Sequence, residues 1–343
     1  MEEIDFGEIQ QVLDEILGNG IDFQKMAEQG MKGENLLSPE NLAVFLQDIF
    51  LKELLAQKQL WMHILILTVA AAVLLHFADV FQNRSVSHIS FCMIYMILFL
   101  LLTVSFQGSL KIAEEVMEHM RDFITVLAPA YFLAMTFSAY PASAGIYYEF
   151  VLLLISVMRW FTEVFILPCT EIYILLILAN NLSKEERLTR FAELAELLVE
   201  WGLKAVLAAV TGFHLIQGVI SPAADAVRNT AVSQGIEMVP GVGDISSSVT
   251  DMVLGSAMLI KNGIGAAALV ALIMICLIPL AKLAVIMAAY YVLAAVLQPV
   301  SDERITDCLS GMGTGVKLLF KTVFTMLVLF LLTIALTTAL TGP

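Results

Sequence analysis

The stretch GVISPAADAVRNTAVSQGIEMVPGVGDISSSVTD, from Gly218 to Asp251, is a polar connection between apolar runs, and the fold turns on the residues that come directly after it. Asp251 to Lys261 (DMVLGSAMLIK) is apolar and rich in small residues, but too short to cross a bilayer whose hydrocarbon layer takes about 20 helical residues. It is expected to form a half-helix or an interfacial piece. Asn262 to Leu280 and Leu283 to Val300 are each long enough to span. The Pro279-Leu280-Ala281-Lys282 step between them predicts a tight hairpin at one surface.

Composition fixes the class. The 343 residues are 59% hydrophobic and 15% charged, with a mean hydropathy of +0.86. A soluble chain of this size could not cover so much apolar surface with polar groups. The runs are continuous rather than alternating, which excludes a β-barrel. The expected fold is an all-α polytopic integral membrane protein, a bundle of about eight or nine transmembrane helices plus amphipathic interfacial helices. The four cysteines (Cys92, Cys169, Cys276, Cys308) show no Cys-x-x-Cys spacing and read as small buried hydrophobes.

Two regions are expected. Residues 1–59 are acidic, with twelve Asp or Glu against Lys25, Lys32, Lys52 and Lys58. No basic segment followed by a short apolar core opens them, so no signal peptide is read here. Ile9, Val12, Leu13, Ile16 and Leu17 share one helical face, and Ser38-Pro39 opens a second amphipathic helix with Leu42, Phe45, Leu46, Ile49 and Leu54. Both are expected on the membrane surface or on the chain's own spans.

Residues 60–343 form the transmembrane region, with 221–251 as its central polar connection. Spans are expected at Leu60 to Val80, Ile89 to Phe106, Phe123 to Tyr140, Leu203 to Ile220 and Leu318 to Leu340, besides the two named above. The run Phe150 to Leu182 would make a helix about 50 Å long at 1.5 Å per residue. With Pro168 near its middle it reads as two joined segments. Ser183-Lys184-Glu185-Glu186 is a capping box that starts an amphipathic helix with Leu188, Phe191, Leu194, Leu198 and Trp201 on its apolar side. The Lys and Arg of 183–204 favour the cytoplasmic side. With nine spans the N-terminal region and the connection then lie outside, and with eight the N-terminal region moves inside.

No catalytic constellation is present. The five histidines lack paired ligand spacing, and no nucleophile elbow or phosphate loop occurs. No enzyme activity, metal, cofactor or nucleic-acid partner is expected. The polar residues that merit attention lie in or beside spans. Arg159 needs compensation inside an apolar run, and Glu163, one turn on, is the nearest partner, with Glu171 as a second candidate. Lys261 is expected to reach an interface or backbone carbonyls, and Asn262 to cap the following helix. Gln298 and Pro299 close a span, after which the chain must turn. The face formed by Ile305, Cys308, Leu309, Met312 and Val316 is then expected along the interface or dipping into the protein.

The segments MVPGVGDISSSVTDMVLGSAMLIKNGIGAAALV and IPLAKLAVIMAAYYVLAAVLQPVSDERITDCLS carry a family pattern: Val239-Pro240 with Gly243, Leu259-Ile260-Lys261-Asn262 with Gly265, and Leu297-Gln298-Pro299 followed by Asp302 and Cys308-Leu309. The chain resembles the stage III sporulation protein AE family over most of its length. That resemblance implies a membrane subunit of a multi-protein complex linking mother cell and forespore during endospore formation. It would form or support a channel or secretion-like conduit in the mother-cell membrane surrounding the forespore. The implied partners are the other stage III sporulation A-operon proteins and a forespore membrane partner, besides the lipid bilayer. The family pattern places a signal peptide ahead of the acidic region. The alternative reading is a self-sufficient secondary transporter for a small solute. Its signature would be broken helices, which Asp251 to Lys261 and the Gly-rich Ser310 to Gly315 loosely fit.

Overall fold

The computed structural model describes residues 6–17, 22–32, 84–138, 141–182, 188–237, 243–299 and 301–340, with scattered positions between 55 and 73. Among them all regular structure is helical: α1 (Gly7–Leu17), α2 (Phe23–Lys32), α3 (Arg84–Phe137), α4 (Pro141–Phe161), a π-helical turn (Thr162–Ile166), α5 (Leu167–Asn180), α6 (Thr189–Glu237), α7 (Gly243–Leu297) and α8 (Glu303–Leu340). The amphipathic helix expected from Ser38 and the capping box at Ser183 lie outside the described residues, as does most of the first expected span.

Among the described residues four helical stretches are long and apolar enough to cross a membrane, Cys92–Phe137, Ser143–Asn180, Gly255–Leu297 and Glu303–Ala339, in place of the eight or nine spans expected. Part of the difference is fusion of neighbouring expected spans, and most of the first expected span lies outside the described residues. The expected spans 89–106 and 123–140 are, except for the last residues of the second, the two halves of α3, because Lys111 to Asp122 between them is charged but holds no Gly or Pro to break the helix. At 1.5 Å per residue the 54-residue α3 is about 81 Å long, against a hydrocarbon layer of about 30 Å, so only part of it fits within lipid.

The expected hairpin at Pro279 is likewise absent, since Pro279 lies inside the continuous α7. A proline removes one i→i−4 hydrogen bond but does not reverse a chain, and packed neighbours in a bundle tolerate it. Asp251 to Lys261 is therefore no half-helix but the N-terminal part of α7. The described parts of the polar connection are helical too, as α6 runs on to Glu237 and α7 starts at Gly243. Ala-rich sequence around Asp225 and Val227 continues a helix despite its polarity.

The two joined segments expected over residues 150–182 follow one another without a break as far as Asn180. α4 passes into α5 through the π-helical turn, where the Leu167 N–H donates to the Thr162 carbonyl five residues back. Pro168 comes next, and its ring would crowd the carbonyl of Val164 in a regular α-helix. One widened turn relieves that clash without breaking the helix.

α8 is the central helix of the bundle. Ile305, Cys308, Leu309, Met312 and Val316 are fully buried, so the segment after Pro299 dips into the protein and is continuous with the last span. Gly311, Gly313 and Gly315 are sites of close packing rather than a break. Side chains there would meet Ile177, Tyr291 and Ile174 respectively. The N-terminal helices also pack inward. Phe23 of α2 sits between Phe6 and Phe123, with ring centroids 5.7 and 6.4 Å away. The Gln10 side chain of α1 accepts from the Phe23 N–H at 2.9 Å, and Asp22 accepts from the Lys25 N–H at 3.1 Å, which together cap α2.

Candidate functional site

Two clusters of polar side chains join helices of the bundle around residues singled out in the sequence. The first joins α3 to the π-helical turn. Glu163 Oε1 takes an ion pair from Arg121 Nη1 at 2.9 Å and another from Arg159 Nε at 3.2 Å. The Arg121 side chain is 13% exposed and that of Arg159 68%, so the inter-helix contact is the more enclosed of the two. The Arg159–Glu163 pairing expected from their spacing is present, while Glu171 makes no ion pair among the described residues. Arg121 could not be anticipated, because it lies in a segment expected to separate two spans. Only the continuity of α3 carries it to Glu163.

The second group surrounds Lys261, which lies mid-helix in α7 and is fully buried. Its Nζ donates to the Thr338 carbonyl at 3.5 Å. Asn262 does not cap a helix, since α7 is unbroken there, and its Oδ1 is buried without a hydrogen-bond partner. Thr338 Oγ1 lies 2.5 Å from the Tyr131 hydroxyl of α3, and Tyr131 packs edge-on against Tyr147 of α4 with ring centroids 5.2 Å apart. Gly265, one turn after Lys261, makes the approach possible, because a Cβ there would lie 2.6 Å from Thr338 Oγ1. The sequence signal for this group is modest: three threonines, Thr333, Thr337 and Thr338, at the apolar end of α8.

Further polar contacts tie the bundle. His214 Nε2 is 3.1 Å from Thr333 Oγ1, and the Tyr95 hydroxyl donates to the Leu178 carbonyl at 2.5 Å beside Cys308. Lys321 of α8 pairs with Glu200 of α6, and that hydrogen bond holds the Glu200 carboxyl below the usual range. Gln298 and Pro299 form the exposed turn between α7 and α8, closed by the Ser301 N–H on the Leu297 carbonyl at 2.8 Å. Asp302 then caps α8 and holds Arg304 through both carboxylate oxygens at 3.0 Å. Between α1 and α3 a cleft of about 500 Å³ has Val12 and Ile16 in its lining, beside Glu15, Glu118 and Asp122. Among the described residues no three His, Cys, Asp or Glu side chains are grouped to hold a metal ion.

The family model described as Stage III sporulation protein AE matches residues 21–341, which takes in α2, every helix from α3 to α8, and both polar groups. The chain belongs to the stage III sporulation protein AE family. It is 24% identical over 305 residues to Stage III sporulation protein AE of Bacillus subtilis (strain 168), covering 89% of this chain and 76% of the relative. No solved structure matches the chain. In this member of the stage III sporulation protein AE family, Lys261 to Gly265 and Leu297 to Pro299 fall on α7 and its exit turn, the first within the polar group around Thr338 and the second with Leu297 buried and Gln298 and Pro299 exposed.

Proposed function

We propose that the chain is a membrane subunit of the multi-protein complex that links mother cell and forespore during endospore formation, and that it forms or supports a conduit there. The observation that carries this reading is the family match over residues 21–341. Four apolar helical stretches support membrane residence, and the outward-facing Phe191, Leu194, Leu198 and Trp201 of α6 offer an apolar surface to lipid or to a neighbouring subunit. The acid-lined cleft between α1 and α3 gives the N-terminal region a place to receive a basic side chain of a partner. On this reading the chain resides in the mother-cell membrane around the forespore, beside the other stage III sporulation A-operon proteins.

The transporter alternative leaned on broken helices at 251–261 and 310–315, and both segments are continuous helix. Affinity purification of the tagged full chain from sporulating cells tests the assignment. Recovery of the other A-operon products in stable proportion is expected. A chain that purifies alone, and that moves solute in vesicles without partners, would contradict it.

A further inference from the structure

We infer that Lys204, Lys317 and Lys321 form a binding site for the phosphate headgroup of an anionic phospholipid, on the face where α6 and α8 meet. Lys321 of α8 pairs with one oxygen of the Glu200 carboxylate, and Lys204 Nζ lies 4.0 Å from the other. Lys317, one turn before Lys321, acts on the same carboxylate through its charge, yet it makes no ion pair of its own among the described residues. Three ammonium groups therefore share one carboxylate. Of the other acids in this part of α6, Glu193 is held by Arg190 at 2.8 Å and Glu196 lies toward Tyr173 of α5. The patch is open to its surroundings, since the Lys204 side chain is 75% exposed and that of Lys321 37%.

Two tryptophans mark the depth of this patch in the membrane. Trp201 stands one turn before Lys204 on the same side of α6 and is 67% exposed. Gly202 packs against Phe161 of α4, where a Cβ would lie 3.0 Å from the ring, so Arg159 and the exposed Trp160 stand at the same height. Exposed indole rings beside Lys and Arg belong at the headgroup layer, with the ring body against acyl chains and the N–H toward polar groups. Outward-facing Leu194 and Leu198 precede this level on α6, and Leu215 and Ile216 follow it, giving acyl chains a surface to lie on. A phosphodiester fits the charge, because its unesterified oxygens can accept from Lys204 and Lys317 while Glu200 keeps Lys321 in place. In phosphatidylcholine the headgroup cation cancels that attraction, so the site selects a lipid with net negative charge. The inference needs only residence in a membrane and holds whether or not the chain assembles with partners.

The test is quenching of Trp201 fluorescence by lipids brominated on their acyl chains. The full chain, with Trp61→Phe and Trp160→Phe, is placed in phosphatidylcholine vesicles carrying either brominated phosphatidylglycerol or brominated phosphatidylcholine. A preference for phosphatidylglycerol of about twentyfold is expected, and Lys204→Gln or Lys317→Gln should each lower it about fivefold. Lys317→Arg should retain it. Lys111→Gln removes an exposed lysine of α3 and should leave it unchanged. Inorganic phosphate at matched ionic strength should not compete, and loss of the preference in its presence would mean that the site takes the free ion and would overturn the lipid assignment. Equal quenching by the two lipids, a preference untouched by Lys204→Gln and Lys317→Gln, or an equal loss in Lys111→Gln would overturn the site itself.

Discussion

Arg121 Nη1 on α3 lies 2.9 Å from Glu163 Oε1 on the π-helical turn, and Arg159 Nε lies 3.2 Å from the same oxygen. One carboxylate thus serves two guanidinium groups, and the enclosed one comes from another helix. The three residues act as a unit whose weak point is Glu163. Arg159 is exposed enough for its head group to reach polar surroundings, whereas Arg121 is not.

Removing Arg159 should therefore matter little, because Arg159→Met leaves the Arg121–Glu163 pair whole. Glu163→Leu strands Arg121 and should cost about 2 kcal/mol. Arg159→Met combined with Glu163→Leu should be no better than Glu163→Leu alone. Arg121→Met with Glu163→Leu should recover much of the loss. Thermal unfolding of the four variants in detergent gives the order, and full recovery in the Arg159 double variant would show that Arg121 is not the partner.

The packing of α2 on α7 predicts a backbone-level sensitivity. A Cβ at Gly263 would lie 2.6 Å from the Ala27 carbonyl oxygen, backbone that cannot move aside as a side chain can. Gly263→Ala is expected to cost about 1–3 kcal/mol and to lift α2 off the bundle. Limited proteolysis checks this through faster cleavage within residues 1–32. Unchanged protection would mean that α2 does not occupy this groove in the membrane.

The Glu200–Lys321 contact between α6 and α8 should depend on pH. Lys321 holds the Glu200 carboxyl below its ordinary value, so the folded pKa is depressed. The stabilisation is then fully present above the unfolded value of about 4.3, and it is lost as pH falls through the folded value. The Tm difference between the unaltered chain and Glu200→Gln should shrink as pH drops from about 6 to below 4. A difference that grows on acidification would contradict the assignment.

Thiol reactivity should track burial. Cys92 and Cys169 are partly exposed, while Cys276 and Cys308 are buried, with Cys308 Sγ 2.7 Å from the Tyr95 hydroxyl. A maleimide is expected to modify the first pair before the second, and mass spectrometry reads the order. Early modification of Cys308 would mean that the N-terminal half of α8 is not central.

The class of fold was legible because 59% apolar residues admit few architectures. The inward face of Ile305 to Val316 was legible from its spacing, and so was the Arg159–Glu163 pair. Helix ends were not. Pro279 looks like a turn when only local preference is weighed, yet the residues on both sides are strong helix formers and the bundle holds the helix through it. The apolar side of the helix after Leu188 also faces the opposite way from that of a water-soluble helix. Ala192, Ala195 and Val199 are the buried residues, and Phe191, Leu194, Leu198 and Trp201 point outward. Where lipid is the solvent, the larger apolar side chains need not face the core, and small residues line the helix contacts. The Lys261 group was hidden for the same reason as Arg121, since its members lie on four helices far apart in the chain.

The unbroken course of α7 through Pro279 underlies the absence of the expected hairpin and the reduced number of spans. Nitroxide labels at Leu259→Cys and Val292→Cys, both exposed positions on α7, measure it directly once the four native cysteines are replaced. A continuous helix puts these positions about 50 Å apart, 33 residues at 1.5 Å each. A hairpin at Pro279 to Lys282 would fold them back to about 18 Å, given helix axes about 10 Å apart. A pulsed electron–electron double resonance distance near 50 Å in lipid is the expected result, and one near 18 Å would contradict the account.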